Sequence, residues 1–250
     1  MNRTAALALA LVLAGCAAAP VAAPPAPAAV APPAVTAVPA DTDPVHWVRD
    51  SAEYRAAALQ AYAWATRLLA ERVAGRAPGT WAVSLDGDDT VIDNSLYQKE
   101  RGALAYSRES FGEFAARLAS PPVPGAVPFL ERVRRMGGTI AIVTNRDQEL
   151  CPATEENFRR HGIPFDAMLC RPDPKLGEKE PRWEALRSGT AAPGLGPVEV
   201  VMWVGDSIKD FPDLDQTLRD APDQAYADFG TRFVIIPNPM YGSWEDNPRR

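Results

Sequence analysis

The sequence is poor in the residues from which several common kinds of active site are built. Histidine occurs only twice, at His46 and His161, too few for a zinc site built on several histidines or a phosphatase with paired catalytic histidines. Three cysteines, Cys16, Cys151 and Cys170, cannot form a disulfide-rich scaffold. Lysine occurs four times, and no run of lysine or arginine forms a basic stripe, so we expect no nucleic-acid polymer as a partner.

The composition averages two different segments. Hydrophobic residues make up 46% and charged residues 23% of the 250 positions, which excludes a wholly disordered chain and a protein with many membrane spans. The 25 prolines are about twice the usual share, and their excess, with that of alanine, lies mostly in the first 44 residues. The net charge is −6, from 26 basic and 32 acidic residues. We therefore expect an Ala/Pro-rich leader before a more ordinary domain.

Residues 1–15 have the features of a secretory signal peptide: a positive charge at Arg3, a short apolar stretch and small residues at the end. Leu13-Ala14-Gly15-Cys16 resembles the bacterial lipobox, which makes Cys16 the expected lipidation site. A plain secretory signal with an incidental cysteine is the alternative. Ala17 stands where aspartate often signals retention in the inner membrane. We therefore expect a lipid anchor in the outer membrane and a domain outside the cytoplasm.

Residues 16–42 are expected to hold the lipidated cysteine and a tether. Residues 17–40 contain twelve alanines, seven prolines, four valines and one threonine, with no charge. Such a segment cannot bury a core, and its prolines favour extended, polyproline-like conformations. We predict a semi-rigid spacer in front of a domain at residues 43–250.

The predicted domain alternates between helical and strand-like segments. Residues 45–74 favour one long or two short helices. Strands are predicted at four apolar runs, Trp81–Leu85, Thr139–Val143, Val198–Val204 and Arg232–Ile236. Further helices are predicted near residues 107–119, 125–136, 147–161, 181–188 and 211–219. This alternation indicates an α/β fold with a mostly parallel sheet covered by helices on both faces.

Reactive residues of such a sheet collect beyond the carboxyl ends of its strands. The side chains that follow the predicted strands include Asp86, Asp88 and Thr90, then Thr144, Asn145 and Arg146, then Asp206 and Asp210, and lastly Tyr241. Carboxylates that crowd together repel one another unless a cation lies among them. Because the ligands on offer are oxygens and histidine is scarce, we expect that cation to be Mg²⁺.

These residue types suit phosphoryl transfer, which depends mainly on positioning and charge stabilisation. Asp86, at a strand end, could act as a nucleophile. Asp88 could protonate a leaving oxygen and then deprotonate water. Thr144 could hydrogen-bond a phosphoryl oxygen, a lysine could neutralise charge, and Asp206 with Asp210 could complete the metal site.

The motifs resemble those of a known superfamily. The order Asp86-x-Asp88-x-Thr90, a hydrophobic strand ending in Thr144, Lys179, and Gly205-Asp206-x-x-x-Asp210 is similar to the haloacid dehalogenase-like (HAD) phosphotransferases. A finer signature resembles the bacterial class C, or "lipoprotein e", acid phosphatases, and it comprises Asp93-Asn94-Ser95, Val143-Thr144-Asn145-Arg146, Lys179-Glu180-Pro181-Arg182 and Pro237-Asn238-Pro239-Met240-Tyr241-Gly242-Ser243-Trp244-Glu245. The resemblance extends from about Trp47 to Glu245.

The resemblance implies a Rossmannoid parallel sheet with a small, mainly helical cap-like subdomain, formed by the N-terminal helices and the segment between the first two motifs. It also implies a Mg²⁺-dependent phosphomonoesterase that often acts on nucleoside 5′-monophosphates, including nicotinamide mononucleotide. Carried over, Asp86 is the nucleophile that becomes an aspartyl phosphate, Asp88 the general acid and base, Thr144 the phosphoryl holder and Lys179 the third-motif lysine. The implied metal ligands are Asp86, the Asp88 carbonyl and Asp206, with Asp210 reaching the metal through water.

Several residues keep alternatives open. Lys175, in Pro174-Lys175-Leu176-Gly177, competes with Lys179 as the third-motif lysine. Asp89 stands where the family usually has glutamate, and Gly87 where an apolar residue is common, which affects the loop and the strand end. The candidate substrate-binding residues are Asn94, Asn145, Arg146 and Tyr241. For Asn94 a turn, and for Arg146 a structural salt bridge, are the alternatives.

Aromatic side chains between the first two motifs, Tyr97, Tyr106, Phe111 and Phe114, could stack on a base, but we expect core packing for each. Cys151 and Cys170 are expected to be separate thiols, with a disulfide as the alternative that an outside compartment permits. A surface ligand-binding lipoprotein with a vestigial site and a phosphotransferase are the competing functions. No feature of the sequence specifies an oligomeric state.

Overall fold

Two helices begin the part of the chain that the structure, a computed structural model, describes, which is residues 43–249. α1 spans Asp43–Asp50 and α2 spans Ala52–Arg72. Ser51 separates them because its side chain caps α2, accepting a hydrogen bond from the Tyr54 backbone N–H at 3.0 Å. The region thus contains two helices, as one of the predicted alternatives held, but only α1, with 8 residues, is short, whereas α2 has 21. The predicted signal peptide, Cys16 and the tether lie outside the described residues.

A five-stranded sheet forms the centre of this domain. Its strands are β1 (Trp81–Leu85), β2 (Thr139–Asp147), β3 (Ala167–Arg171), β4 (Glu199–Gly205) and β5 (Phe233–Ile235). The order across the sheet is β3-β2-β1-β4-β5, and every neighbouring pair is parallel. The four predicted strands are confirmed. β3 was not predicted: it is a short edge strand in which Met168, Leu169 and Arg171 are only partly buried, so its apolar signal is weak.

The remaining helices follow the predicted pattern with two differences. They are α3 (Ser95–Arg101), α4 (Arg108–Ala116), α5 (Ala126–Arg135), α6 (Cys151–Arg160) and α7 (Glu180–Ser188). α3 was not predicted. The helix expected at 211–219 is wrong: Phe211 is extended, Asp213 has φ 62°, and only a 3₁₀ turn follows at Gln216–Asp220. Pro212 explains this, because the residue before a proline is disfavoured in the helical conformation.

Alternate residues of β1 face two different cores. Trp81, Val83 and Leu85 pack in a cluster that includes α2 and α5. Ala82, on the other face, belongs to a cluster with Trp183 of α7. Helices therefore cover both faces of the sheet, as predicted.

A smaller apolar cluster lies in the predicted cap-like region. Tyr97 of α3 packs against Phe111 and Phe114 of α4. α1 contacts α3, and α4 contacts α6, whereas α2 contributes Tyr62 and Leu69 to the main core. The helical cap region is thus built from α1, α3 and α4. The expected core packing is found for three of the four aromatic residues, while Tyr106 is 56% exposed.

The expectation of two separate cysteine thiols is wrong. Cys151 and Cys170 form a disulfide, with their Cα atoms 6.0 Å apart. Cys151 opens α6 and Cys170 lies in β3, and the unpredicted strand places the two residues side by side. Across residues 43–249, no helix combines the length and hydropathy that a membrane crossing requires.

Candidate active site

The site forms where β1 and its two neighbours end. The backbone N–H of Asp86 donates to the Val204 carbonyl at 2.9 Å, which continues the β1–β4 pairing past the last residue of β1. Asp206 directly follows β4 and Thr144 lies in β2, on the other side of β1. Parallel pairing therefore brings together three motifs that are 58 and 62 residues apart in sequence, as the sequence predicted.

Three carboxylates, Asp86, Asp206 and Asp210, form what we call the acidic cluster. Each offers an oxygen, and these oxygens lie within 4.8 Å of one another. Both oxygens of Asp206 are held, since Thr90 Oγ1 donates to Oδ1 at 3.0 Å and Asn238 Nδ2 donates to Oδ2 at 2.8 Å. All-oxygen ligands of this kind fit a hard divalent cation.

Asp210 can lie next to the end of β4 because residue 205 is a glycine and has no side chain. A Cβ atom at Gly205 would lie 2.2 Å from the Asp210 Cβ atom, so only glycine fits there. The Asp210 Oδ2 atom also accepts the Ser207 backbone N–H at 2.8 Å, which closes the turn after β4. The spacing of the fourth motif is thus explained by a tight turn that returns Asp210 toward the strand end.

Lys179 is the lysine that meets the acidic cluster. Its Nζ atom donates to Asp86 Oδ1 and lies 2.7 Å from Asp210 Oδ1, and its side chain is 2% exposed. It stands at the start of α7. Lys175 is exposed four residues earlier, where its backbone N–H donates to Asp173 Oδ1. The geometry therefore favours Lys179 over Lys175 as the third-motif lysine.

The acidic cluster holds more negative charge than one ammonium group can neutralise. Burial raises the pKa of Asp86 to about 7; Lys179 lowers it, while Asp210 and Asp88 raise it. Burial also raises the pKa of Asp206 well above its usual range, with Asp210 and Asp86 adding to the increase. Burial lowers the pKa of Lys179, but the two carboxylates outweigh it and leave that pKa raised. Such crowding is relieved by a bound cation.

Asp88 lies in a second group, which we call the arginine cluster: Arg146, Asp88 and Asn94. Arg146 donates to Asp88 Oδ1 through Nε at 2.9 Å and Nη2 at 2.7 Å. Asn94 Nδ2 donates to the same oxygen at 2.6 Å. This carboxylate is matched by one guanidinium, so the salt-bridge alternative for Arg146 is present in the structure.

Asp89 organises the loop that carries Asp88. It has φ 51°, a left-handed conformation that aspartate tolerates better than most residues. Its Oδ1 atom accepts the Asn94 backbone N–H at 2.9 Å, and its Oδ2 atom accepts the Tyr241 hydroxyl. Burial raises the pKa of Asp89 to about 8, although the Tyr241 hydrogen bond lowers it. The Tyr241 hydroxyl thus holds the first-motif loop in place.

Thr144 and Asn145 are held from α7. Arg182 Nη1 donates to the Thr144 carbonyl at 2.5 Å, and Nη2 donates to Asn145 Oδ1 at 2.7 Å. Thr144 is fully buried, and a Cβ atom at Gly87 would lie 3.3 Å from the Thr144 Cβ and Oγ1 atoms. The glycine therefore allows the first motif to lie close against the second, whereas only a looser strand end was expected from the sequence.

A cleft of about 650 Å³ opens over both clusters. Asp86, Asp88, Asp206 and Asp210 line its floor, and Asn94, Asn145, Arg146 and Tyr241, the candidate substrate-binding residues, all border it. Tyr97, Tyr106 and Phe111 line the cap side. The cleft can therefore admit a small phosphoryl compound with an aromatic group directed toward the cap.

Three residues that hold other site residues in place were not named as site residues from the sequence. Asn238 and Arg182 lie inside motifs that were recognised, but their partners, Asp206 and the Thr144 carbonyl, only become neighbours in the fold. Asp89 was noted as a departure from the usual glutamate, and that was the one signal for its contact with Tyr241.

Comparisons with known proteins agree with the motifs. A family model for the HAD superfamily, subfamily IIIB (acid phosphatase), matches residues 3–244. The structure of the class C acid phosphatase from Bacillus anthracis is similar, with 29% identity, a TM-score of 0.70 and coverage of 81% of this chain and 85% of that chain.

A structure of the Bacillus anthracis class C acid phosphatase with tungstate bound has 27% identity, a TM-score of 0.71 and the same coverage of 81% and 85%. These matches confirm both the predicted α/β fold and the resemblance drawn from the motifs. The chain belongs to subfamily IIIB of the HAD superfamily, the acid phosphatases.

Proposed function

We propose that this acid phosphatase is a Mg²⁺-dependent phosphomonoesterase that works outside the cytoplasm and forms a covalent phosphoryl intermediate on Asp86. The observation that carries the proposal is the position of Asp86 at the end of the central strand, in contact with Lys179 and open to the cleft. Asp88, two residues on, faces the same cleft. Nucleophile and proton carrier are thus separate groups beside one space.

The reaction has two steps. A carboxylate oxygen of Asp86 attacks phosphorus, the ester P–O bond breaks, and the leaving oxygen takes a proton from Asp88. Asp88 then removes a proton from water, whose oxygen attacks the aspartyl phosphate and releases inorganic phosphate and the Asp86 carboxylate. Throughout, Lys179 offsets the negative charge shared by Asp86 and the phosphoryl group. Thr144, the phosphoryl holder expected from the sequence, is fully buried and is not among the residues that line the cleft.

Asp86, Asp206, Asp210 and the Asp88 carbonyl are the groups that would hold Mg²⁺. A bound divalent cation supplies positive charge next to the phosphoryl oxygens. Thr90 and Asn238 fix the orientation of Asp206, which is what the neighbours of a metal-binding carboxylate commonly do. Mn²⁺ and Ca²⁺ accept similar ligands, so comparing them with Mg²⁺ tests the choice of metal.

The proposed substrates are nucleoside 5′-monophosphates, with nicotinamide mononucleotide among them. Tyr106 supports this, because its ring lines the cleft while remaining 56% exposed, so one face is free to stack on a base. Tyr106→Leu should raise KM for a nucleotide roughly tenfold, with little change for p-nitrophenyl phosphate. Tyr226→Leu, another exposed tyrosine but outside the cleft, is the matched control and should change neither.

We propose that Cys16 anchors the protein by lipid to the outer membrane. The Cys151–Cys170 disulfide supports an extracytoplasmic location, since such bonds persist in oxidising compartments. Incorporation of radiolabelled palmitate into the wild type, and its loss in Cys16→Ser with release of activity from the membrane fraction, tests the anchor. Label retained by Cys16→Ser argues against it.

The function is tested by hydrolysis of nucleoside 5′-monophosphates with added Mg²⁺. Asp86→Asn should lose roughly 10⁴- to 10⁶-fold in rate, the range seen when a catalytic group acting in a covalent mechanism is removed. Turnover that survives this substitution, or ligand retention without turnover in the wild type, contradicts the proposal. Product analysis with added alcohol distinguishes hydrolysis from phosphate transfer to that acceptor, because only transfer yields a new phosphomonoester.

A further inference from the structure

We propose that Arg146 and Asn94 are positioning residues that fix the Asp88 side chain so that Oδ2 is the oxygen that exchanges protons. The inference rests on the proposed function, because it takes Asp88 as the acid and base of that reaction. It also assigns Arg146 and Asn94 a task other than the substrate contact expected from the sequence.

The two oxygens of Asp88 are in different situations. Oδ1 accepts three hydrogen bonds, two from Arg146 and one from Asn94, at 2.6–2.9 Å. A carboxylate oxygen has about two lone-pair sites, so three donors leave Oδ1 no place for a proton. The proton that passes to the leaving group is therefore carried by Oδ2.

Arg146 is itself fixed by contacts in addition to those with Asp88. Its side chain is 2% exposed, its Nη1 atom donates to Thr154 Oγ1 at 3.0 Å, and its guanidinium carbon lies 5.0 Å from the centroid of the Phe111 ring. Its Nη2 atom also donates to Asn94 Oδ1 at 3.2 Å. Four hydrogen bonds use four of the five N–H groups of the guanidinium, which leaves little capacity for binding phosphate.

Asn94 has an anchor of its own. Ser120 Oγ donates to Asn94 Oδ1 at 2.7 Å, and Ser120 in turn is bonded through its backbone to Asn157 of α6. Thr154, which binds Arg146, lies in the same helix. The orientation of Asp88 is thus fixed by α6, and the donors to Oδ1 do not depend on the substrate.

The chemistry gives a test that a general loss of folding would not pass. An alkoxide leaving group needs a proton from Asp88 as its P–O bond breaks, whereas p-nitrophenolate leaves without one. The ratio kcat/KM reports only the steps up to release of the leaving group, so the later hydrolysis of the aspartyl phosphate does not affect it. Misplacing Asp88 should therefore lower kcat/KM for an alkyl phosphate selectively.

The experiment uses the full-length protein in detergent with saturating Mg²⁺, and compares glycerol 2-phosphate with p-nitrophenyl phosphate. Arg146→Lys should lower kcat/KM about 100-fold for the alkyl ester and less than about fivefold for the aryl ester. Asp88→Asn should show the same selectivity, and combining it with Arg146→Lys should add nothing further, because both act through one group. The inhibition constant of inorganic phosphate should stay within about threefold.

Two further variants keep the test decisive if Arg146→Lys folds poorly. Thr154→Val removes the acceptor of the Nη1 bond, together with the bond from that hydroxyl to the Leu150 carbonyl of its own helix turn. It should show the same selectivity, with a loss about one tenth as large. Arg76→Lys alters a partly exposed arginine that pairs with Glu199 at the other end of the sheet, and it should leave kcat/KM unchanged for both esters.

Equal losses for both esters, losses that add to those of Asp88→Asn, or a phosphate inhibition constant that rises with the loss would overturn the inference. If Asp88→Asn itself shows no selectivity, the proposed function fails. If Asp88→Asn is selective while Arg146→Lys and Thr154→Val are not, only the positioning role fails.

Discussion

The acidic cluster and the arginine cluster lie side by side in one cleft but balance their charges in opposite ways. Asp86, Asp206 and Asp210 share a single lysine, whereas Asp88 has an arginine to itself and an amide besides. The first group stands on strand ends and the second is held by α6. One cleft thus contains a carboxylate cluster whose excess negative charge the proposed Mg²⁺ would balance, beside a carboxylate whose charge is balanced by an arginine of the chain itself.

Removing the proposed Mg²⁺ should have the largest effect, and on the acidic cluster only. We expect a chelated, metal-free sample to lose activity to background and Mg²⁺ to restore it. Mg²⁺ at a hundred times its dissociation constant should also stabilise the fold by about 2.7 kcal/mol, measured as a rise in Tm. Asp206→Asn should abolish that rise and Arg146→Lys should keep it. Full activity in a sample shown by atomic spectroscopy to be metal-free would contradict the comparison.

Removing the one ammonium group from the acidic cluster should come next. Lys179→Met leaves buried carboxylates without their partner, so we expect a loss of about 3–5 kcal/mol in the free energy of unfolding of the metal-free protein. Excess Mg²⁺ should recover part of it. Lys175→Met, an exposed lysine four residues away, is the matched control and should stay within about 0.5 kcal/mol of the wild type. Urea unfolding measures the free energy of unfolding of both variants. Equal losses in the two would contradict the assignment of Lys179 as the partner of the acidic cluster.

The positions of the acidic residues were predictable from sequence because they depend on strand ends. Asp86 and Asp206 each follow an apolar run, and parallel pairing brings such ends together whatever the details of packing. The spacing of Asp206 and Asp210 likewise describes a local turn. The backbone positions of the first, second and fourth motifs are therefore encoded within a few residues of sequence.

The arginine cluster was less predictable because its contacts are non-local. Arg146 could face substrate or a carboxylate, and the choice depends on Thr154, Asn94 and Ser120, which meet only in the fold. The disulfide was missed for a similar reason, since it depends on β3. The helix expected at 211–219 does not form because Pro212 disfavours a helical conformation at Phe211.

Opening the disulfide should affect the arginine cluster more than the acidic cluster. Cys151 begins the helix that carries Thr154, so the bond braces the support of Arg146. We expect replacement of both cysteines by serine to cost about 3 kcal/mol of stability, the value for a loop of similar length. Reduction should lower the Tm of the wild type and leave the double variant unchanged. Hydrolysis of glycerol 2-phosphate should fall more than hydrolysis of p-nitrophenyl phosphate. An equal fall for the two esters would contradict the inference that the disulfide supports the position of Arg146.

Tyr241 should give the smallest effect, because its hydroxyl bonds to Asp89, which belongs to neither cluster. It donates to Asp89, whose other oxygen accepts the Asn94 backbone N–H. Tyr241→Phe keeps the ring and removes one hydrogen bond, so we expect a loss of about 1 kcal/mol in unfolding free energy and an unchanged ratio of nucleotide to p-nitrophenyl phosphate hydrolysis. Tyr241→Leu also removes the ring, so a rise in KM confined to nucleotides would assign the ring to substrate binding. If KM for nucleotides already rises selectively in Tyr241→Phe, the hydroxyl contacts the substrate, and its hydrogen bond to Asp89 is not its main role.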